Sequence, residues 1–252
     1  MAFMAGAARP RRRWYRFGLR TLFVLTGALC VVLAVQVNRA NNQRRAVARL
    51  HALGAVVAYD SLLKPSRTSF WLESWLGIDY FCTANNVTFE RPLAHDDDLI
   101  VLKDLPYLKY VALGKSGVSA NALVHLHDAK YLTFLSLGEE NADDDALKHL
   151  EHMTQLEVLD VGSDPPVSHV TNAGLAHLAK LKNLTQLTLD NSQLISDEGM
   201  VHLEGLINLK FLFVRGTRVT YAHNFRKKVP QCKIIYKEPR YPETKLPAVG
   251  DA

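Results

Sequence analysis

The feature that most constrains this chain is an apolar spacing that recurs along its second half. Leu175, Leu178, Leu181, Leu184, Leu187 and Leu189 are followed 25 residues later by Met200, Leu203, Leu206, Leu209, Leu212 and Val214. The same spacing appears earlier as Leu147, Leu150, Met153, Leu156, Leu159 and Val161, as Leu123, Leu126, Ala129, Leu132, Leu135 and Leu137, and as Leu99, Leu102, Leu105, Leu108, Val111 and Leu113. Every one of these positions except Ala129 is Leu, Val or Met. Within each unit the three-residue spacing fits a helix face, and the closing L-x-L fits a short strand with both apolar residues pointing inward. Between strand and helix stand Ser119, Asp143, Thr171, Ser196 and Thr220, residue types whose side-chain oxygens cap helix N-termini. A strand, a turn and a capped helix cannot bury an apolar face alone, so the units must stack into a solenoid. The expected fold is α/β, a right-handed solenoid with a short parallel sheet on its concave side and helices on its convex side.

The run G-L-A-H-L-A-K-L-K-N-L-T-Q-L-T-L at 174–189, repeated with its turn and next helix, resembles leucine-rich-repeat proteins of the 24–25-residue class with helical convex sides. That class includes the repeats of F-box adaptors and many bacterial membrane-anchored proteins, and the present chain looks most like the latter. The resemblance covers roughly residues 86–236. It implies the binding of other proteins through the concave sheet, with no catalysis. No F-box-like helical bundle precedes the repeats, which argues against a ubiquitin-ligase adaptor.

Register places the ends. Val87–Phe89 lies 24 residues before Val111–Leu113 and is expected to be the first strand of the array. Phe70, Trp71, Leu72, Trp75, Leu76 and Phe81 would form an aromatic helical cap over the first exposed core edge, with Val56–Tyr59 adding a strand to it. Residues 229–236 read as a shortened last unit. Beyond Pro239 the prolines at 242 and 247 and the loss of periodicity predict a flexible tail.

The N-terminus carries a different signal. From Thr21 to Val35 every residue is apolar, Thr or Gly, and Leu19–Val37 is interrupted only by Arg20 and Gln36. Nineteen helical residues span roughly 28 Å, about the hydrocarbon thickness of a bilayer. Six arginines precede the stretch (Arg9, Arg11, Arg12, Arg13, Arg16, Arg20), with Trp14, Tyr15 and Phe17 at interfacial depth, and four follow it (Arg39, Arg44, Arg45, Arg49). That asymmetry favours a cytoplasmic N-terminus and extracytoplasmic repeats. A cleaved signal peptide has the same charged and apolar layout, but Ala34-Val35-Gln36 fails as a cleavage site. The organisation expected is a basic cytoplasmic segment over 1–20, a transmembrane signal anchor over 21–37, a juxtamembrane helix and N-terminal cap over 38–85, repeats over 86–237 and the tail over 238–252.

Charge narrows the partner class. The formal net charge of +5 is carried by the ends, since residues 1–50 hold ten Arg and no acid whereas residues 51–214 hold 11 Lys/Arg against 22 Asp/Glu, a net of −11. The basic pI therefore does not point to nucleic acid. Stacking places Cys82 and Cys232 near opposite ends of the array, beyond disulfide reach, and Cys30 lies in the apolar segment.

The strand residues that flank the inward pair face the concave surface. One column is Tyr110, Phe134, Val158, Gln186 and Phe211; the next is Thr88, Ala112, Ser136, Asp160, Thr188 and Phe213; a third includes Glu90, Asp190 and Arg215. Tyr110, Phe134, Asp160, Gln186, Asp190, Phe211, Phe213 and Arg215 are the candidate binding residues, because aromatics and Arg on an open face are the types enriched at binding hot spots. The bland reading is that adjacent aromatics only pack along the sheet. His125, His149, His177 and His202 recur at one helical position, but successive repeats separate them by about 10 Å, too far for one zinc ion. Asp96-Asp97-Asp98 and Asp143-Asp144-Asp145 fall at helix starts, where the dipole favours negative charge, and lack a calcium-loop pattern. Gly114-Lys115-Ser116 echoes a phosphate loop, but Lys109 stands where its first glycine belongs. The insertion Ser163–Val170 and the basic cluster Arg226, Lys227, Lys228, Lys233, Lys237 and Arg240 are secondary candidates for contact. No cofactor, metal, nucleic acid or small-molecule substrate is expected. The expected function is a single-pass membrane protein that binds an unidentified protein through its concave sheet. The alternative is a passive structural or self-associating envelope protein.

Overall fold

The computed structural model describes residues 19–61, 77–80, 82–93, 95–114, 116–138, 142–162 and 168–236. The expected cap residues Phe70, Trp71, Leu72, Trp75, Leu76 and Phe81, the segment with Pro165 and Pro166, the basic segment before residue 19 and the tail from residue 237 lie outside the described residues. The chain divides into two units, Met1–Ala40 and Asn41–Ala252. Helix α1 (Leu19–Ala52) supplies the described part of the first and the opening residues of the second.

In the first unit α1 is apolar and exposed on every side from Arg20 to Asn38. It is long and apolar enough to cross a membrane, a test that a signal sequence also passes. A soluble helix normally confines its apolar residues to one stripe. Here Phe23 is 68% and Val24 70% exposed, so this stretch requires a cover from outside its own unit.

The second unit is an eight-stranded sheet whose strands are hydrogen-bonded in chain order: β1 (Ala55–Ser61), β2 (Cys82–Phe89), β3 (Tyr110–Ala112), β4 (Phe134–Ser136), β5 (Val158–Asp160), β6 (Gln186–Thr188), β7 (Phe211–Phe213) and β8 (Lys233–Ile235). Strands β2 to β8 run parallel, and β1 returns antiparallel along β2. The chain is thus a leucine-rich-repeat solenoid. The L-x-L pairs point into a continuous core in which Leu135, Leu159, Leu187, Leu189 and Leu212 have no exposed surface. The strand β2 begins five residues before the expected Val87–Phe89 because β1 pairs along its whole length.

The N-terminal end of this core is closed in part by Ala46, Val47 and Leu50 of α1. Asp79, in a single 3-10 turn at Ile78–Tyr80, ties the closure together. It accepts hydrogen bonds from Gln43 at 3.0 Å and the Tyr59 hydroxyl at 3.3 Å, and its other oxygen lies 3.6 Å from Arg44. Burial, then the Asp79 charge and hydrogen bond, push the Tyr59 phenol up to about 12.

The helices expected opposite the sheet are present, most of them as 3-10 turns. Four of them, Asp96–Asp104, Ala120–Leu126, Gly174–Lys180 and Gly199–Leu203, are 3-10 helices. Among the described residues there, α2 (Asp144–Leu150) and α3 (His223–Lys228) are α-helical. An i, i+3 apolar spacing suits a helix of 3.0 residues per turn, yet Asp144–Leu150, where Leu147, Leu150 and Met153 keep the same spacing, is α-helical, so the spacing alone does not set the helix type.

The capping residues also do more than cap. Ser119 and Asp143 do accept from N–H groups in the first turn of their own helices, Asn121 at 3.2 Å and Ala146 at 2.7 Å. Ser119, Thr171, Ser196 and Thr220, however, each bond backward to an Asp or Asn one repeat earlier. Asp96 accepts from both the N–H and hydroxyl of Ser119, and Asp144 from those of Thr171 at 2.8 and 2.6 Å. Asn172 accepts the N–H of Ser196 and donates to its hydroxyl. Asp197 accepts from the N–H and hydroxyl of Thr220 and from the N–H groups of Tyr221 and Ala222. Two glycines make room for this ladder, since a Cβ on Gly174 would lie 2.0 Å from an Asp144 carboxyl oxygen and one on Gly199 2.4 Å from the Asn172 amide oxygen. A second ladder runs along the start of the strands, where Gln155, Asn183, Asn208 and Gln231 donate to carbonyl oxygens of the preceding repeat. In the two earlier units the same position holds Tyr107 and Tyr131, which stack at 5.5 Å.

The first ladder is broken between Ala120 and Asp143, the one step where the hydroxyl is replaced by a carboxylate and the facing acid by alanine. The two changes suit each other, because an acid at 120 would meet the charge of Asp143. Ala120→Asp is expected to destabilise the fold by about 1 kcal/mol. Adding Asp143→Ser should convert the loss into a gain by restoring the rung. A double-mutant cycle in urea checks this, and additive losses would contradict it.

Candidate functional site

The open face of the sheet is built by alternation. Because successive strand side chains point to opposite faces, burying Leu135 or Leu159 forces its two neighbours outward, and parallel pairing in register lines those neighbours up from repeat to repeat. The register is unbroken. Asn86, Tyr110, Phe134, Val158, Gln186, Phe211 and Lys233 are consecutive partners across β2 to β8. Thr88, Ala112, Ser136, Asp160, Thr188, Phe213 and Ile235 form the adjacent column, which Val56 of β1 extends at its other end. At about 4.8 Å per strand, Tyr110 and Phe211 stand roughly 19 Å apart.

The aromatics cluster at two places along these columns. Tyr110 and Phe134 stack with ring centroids 4.0 Å apart and planes 13° from parallel. Three strands further on, Phe211 is 43% exposed, and the guanidinium of Arg215 lies 5.6 Å from the Phe213 ring centroid. Stacking and cation–π contact account for how Tyr110, Phe134 and Phe213 are held, as the bland reading expects. They leave Phe211 without such a cover.

Between the aromatic clusters lies a polar centre. Asp160 is half-buried, and its carboxylate accepts from the Gly162 N–H at 3.0 Å and from the Ser136 hydroxyl at 3.4 Å. Burial pushes its carboxyl above the ordinary value; the two hydrogen bonds act against that, and the neighbouring Asp190 charge reinforces it. Asp190 accepts the Arg215 N–H at 2.7 Å and lies 3.8 Å from its Nε. Gly162 sits tightly behind both acids, with the position of a Cβ only 3.2 Å from Asp160 Oδ1 and from the Asp190 Cβ. At the β1 end, Lys109 and Asp60 form an exposed pair at 3.1 Å.

The structure therefore brings Tyr110, Phe134, Asp160, Gln186, Asp190, Phe211, Phe213 and Arg215 onto one face. Lys233, Ile235 and Val56 also belong to it. The shortened last unit obscured the first two, because Lys233 follows Phe211 by 22 residues instead of the repeat interval. Val56 has no repeat partner from which its register could be read.

Other candidates are dispersed. His125 faces Asp97 at 3.8 Å, His177 faces Glu151 at 3.6 Å, and the carbonyl of His149 bonds the His127 ring at 2.9 Å. Among the described residues no three His, Cys, Asp or Glu side chains converge as a metal site would require. All three cysteines are free thiols.

No protein-family model matches the chain, and no curated protein matches it in sequence. Among solved structures it is similar to internalin C2 from Listeria monocytogenes, with a TM-score of 0.44 and 20% identity over 65% of this chain and 76% of that one. It is also similar to an internalin, inlF, from the same organism, with a TM-score of 0.24 and 14% identity over 56% of this chain and 71% of that one. Both likenesses are too distant to bear on function. The repeat register and the sheet geometry define this molecule as a leucine-rich-repeat protein.

Proposed function

We propose that the protein is a membrane-anchored recognition module that binds another protein across the open face of its sheet. The observation that carries this reading is the in-register set Tyr110, Phe134, Phe211 and Phe213 on the open face of the second unit's sheet, with Phe211 43% exposed. The apolar, all-round exposed stretch of α1 supports a single-pass anchor. The excess of arginines before it over those after it favours repeats on the extracytoplasmic side.

The test is a crosslinking capture with the full chain in neutral-lipid nanodiscs and a matched Phe134→Ala/Phe211→Ala/Phe213→Ala variant. The variant should keep the parent's far-ultraviolet dichroism, because the core-facing leucines are untouched. A partner held by the parent should be lost, with affinity falling at least 100-fold, since each buried aromatic anchor contributes on the order of 1–2 kcal/mol or more. Equal capture by a folded variant would transfer the lead to the alternative, a passive or self-associating envelope protein.

A further inference from the structure

Asp160 is a half-buried acid of the open face. Among the described residues no Lys, Arg or His lies within ion-pair distance of it, whereas Asp60 has Lys109 and Asp190 has Arg215. Its neighbours make the charge harder to carry. It is half-buried, and Asp190 stands on the next strand's continuation. Both its oxygens are nonetheless held, one by the Gly162 N–H and one by the Ser136 hydroxyl. A half-buried carboxylate kept in place without a counter-charge costs stability unless a positive group completes it.

Its position in the columns says what would complete it. The adjacent column runs Tyr110, Phe134, Val158, Gln186, Phe211, Lys233 in register past Asp160, so the acid lies between the Tyr110–Phe134 pair on one side and Phe211, beyond Gln186, on the other. Phe134 is one strand away and Phe211 two, roughly 5 and 10 Å across the sheet. A segment crossing the strands would thus meet the Tyr110–Phe134 pair, then the charge of Asp160, then Gln186 and Phe211.

Resting on the reading of this face as a protein-binding surface, we propose that its occupant is a segment of a partner protein carrying a lysine or arginine between apolar side chains, the cation set on Asp160 and the apolar flanks on the Tyr110–Phe134 stack and on Phe211. The flanks supply burial, and the cation supplies register. Pairing inside a covered interface makes the charge pair sensitive to loss of either partner. An acidic or purely apolar segment would cover Asp160 without giving its charge a partner, and so is disfavoured against a cationic one.

The probe is a display library of random 16-residue peptides, selected on the full chain in phosphatidylcholine nanodiscs after depletion on empty nanodiscs. Enriched peptides should carry Arg or Lys flanked by apolar residues. Replacing that residue by citrulline or norleucine should weaken binding at least 10-fold to the parent and less than 2-fold to Asp160→Asn. Asp160→Asn should be as stable to heat as the parent or more so, because the substitution removes an uncompensated charge and keeps the shape. A variant that fails this check is replaced by Asp160→Ser for the same cycle. The proposal is overturned by a neutral or acidic consensus, by a cation whose removal costs the same in both backgrounds, or by no enrichment at all. If enriched peptides lack a cation but are lost with Phe134→Ala/Phe211→Ala, the face still binds and only the cation assignment falls. If they ignore both sets of substitutions, the binding reading falls with it. A dimer of the chain that Asp160→Asn dissolves would assign the cation to a second copy and overturn the partner.

Discussion

Leu159→Ala is expected to lower the free energy of unfolding by about 3 kcal/mol, within the 2–5 kcal/mol range for leucines removed from rigid cores. Leu159 has no exposed surface and pairs with Leu135 on one side and Leu187 on the other. It sits in the middle of the array, so its loss weakens contacts on both faces of one repeat. In a solenoid each unit is held only by its neighbours, and the cavity therefore weakens the link between two half-arrays. For a folded unit of this size the cost corresponds to a fall in melting temperature of roughly 6–12 °C. The denaturant slope should fall as well, because the halves begin to unfold separately. A loss below 1 kcal/mol with an unchanged slope would show that the repeats do not share one cooperative core.

Asp197→Ala should cost about 2 kcal/mol, most of it at the C-terminal end. One carboxylate accepts from the Thr220 hydroxyl and the N–H groups of Thr220, Tyr221 and Ala222. Ala222 has φ 42°, a left-handed conformation that a non-glycine residue adopts only when neighbouring structure enforces it. Charged acceptors make the stronger hydrogen bonds, and partial exposure of Asp197 trims the total. Burial pushes this carboxyl up, but the four donors outweigh it and leave it below the ordinary value. Asp96 is also lowered, by the Ser119 hydroxyl and N–H. A group with a depressed folded pKa contributes stability that is present above its unfolded value near 4 and lost as the pH falls through the folded one. The parent should therefore lose this contribution progressively below about pH 4, whereas Asp197→Ala should show a shallower acid limb. Hydrogen exchange should rise first in His223–Lys228, and unaltered exchange there would refute the role assigned to the carboxylate.

Much of this was readable one residue at a time. The repeat intervals locate every strand from β3 to β7 and order the open face, because burial of the L-x-L pair leaves its neighbours no other direction. The helix type was not readable from the i, i+3 spacing, because the same spacing gives 3-10 turns in four units and an α-helix at Asp144–Leu150. The ladder of Asp and Asn side chains was hidden behind a simpler role. Ser, Thr and Asp at a helix start satisfy the local rule for caps, and only the neighbouring repeat reveals that their hydroxyls and N–H groups are engaged across it.

Local spacing determined the solenoid, since each unit's apolar face can be satisfied only by a copy of itself, and it determined which residues share a face. Tertiary structure decided what spacing cannot encode. The pairing of β1 joins segments with no common period, and Tyr59, Gln43 and Arg44 meet on Asp79 through contacts 20 to 36 residues apart in the chain. The lone charge of Asp160 is likewise a property of place: its value depends on Ser136 one repeat before and Asp190 one repeat after, and on which cations the fold assigns to other acids. Periodic burial is local and additive, so it is written in the order of residues, whereas electrostatic pairing is settled only by distances that folding creates.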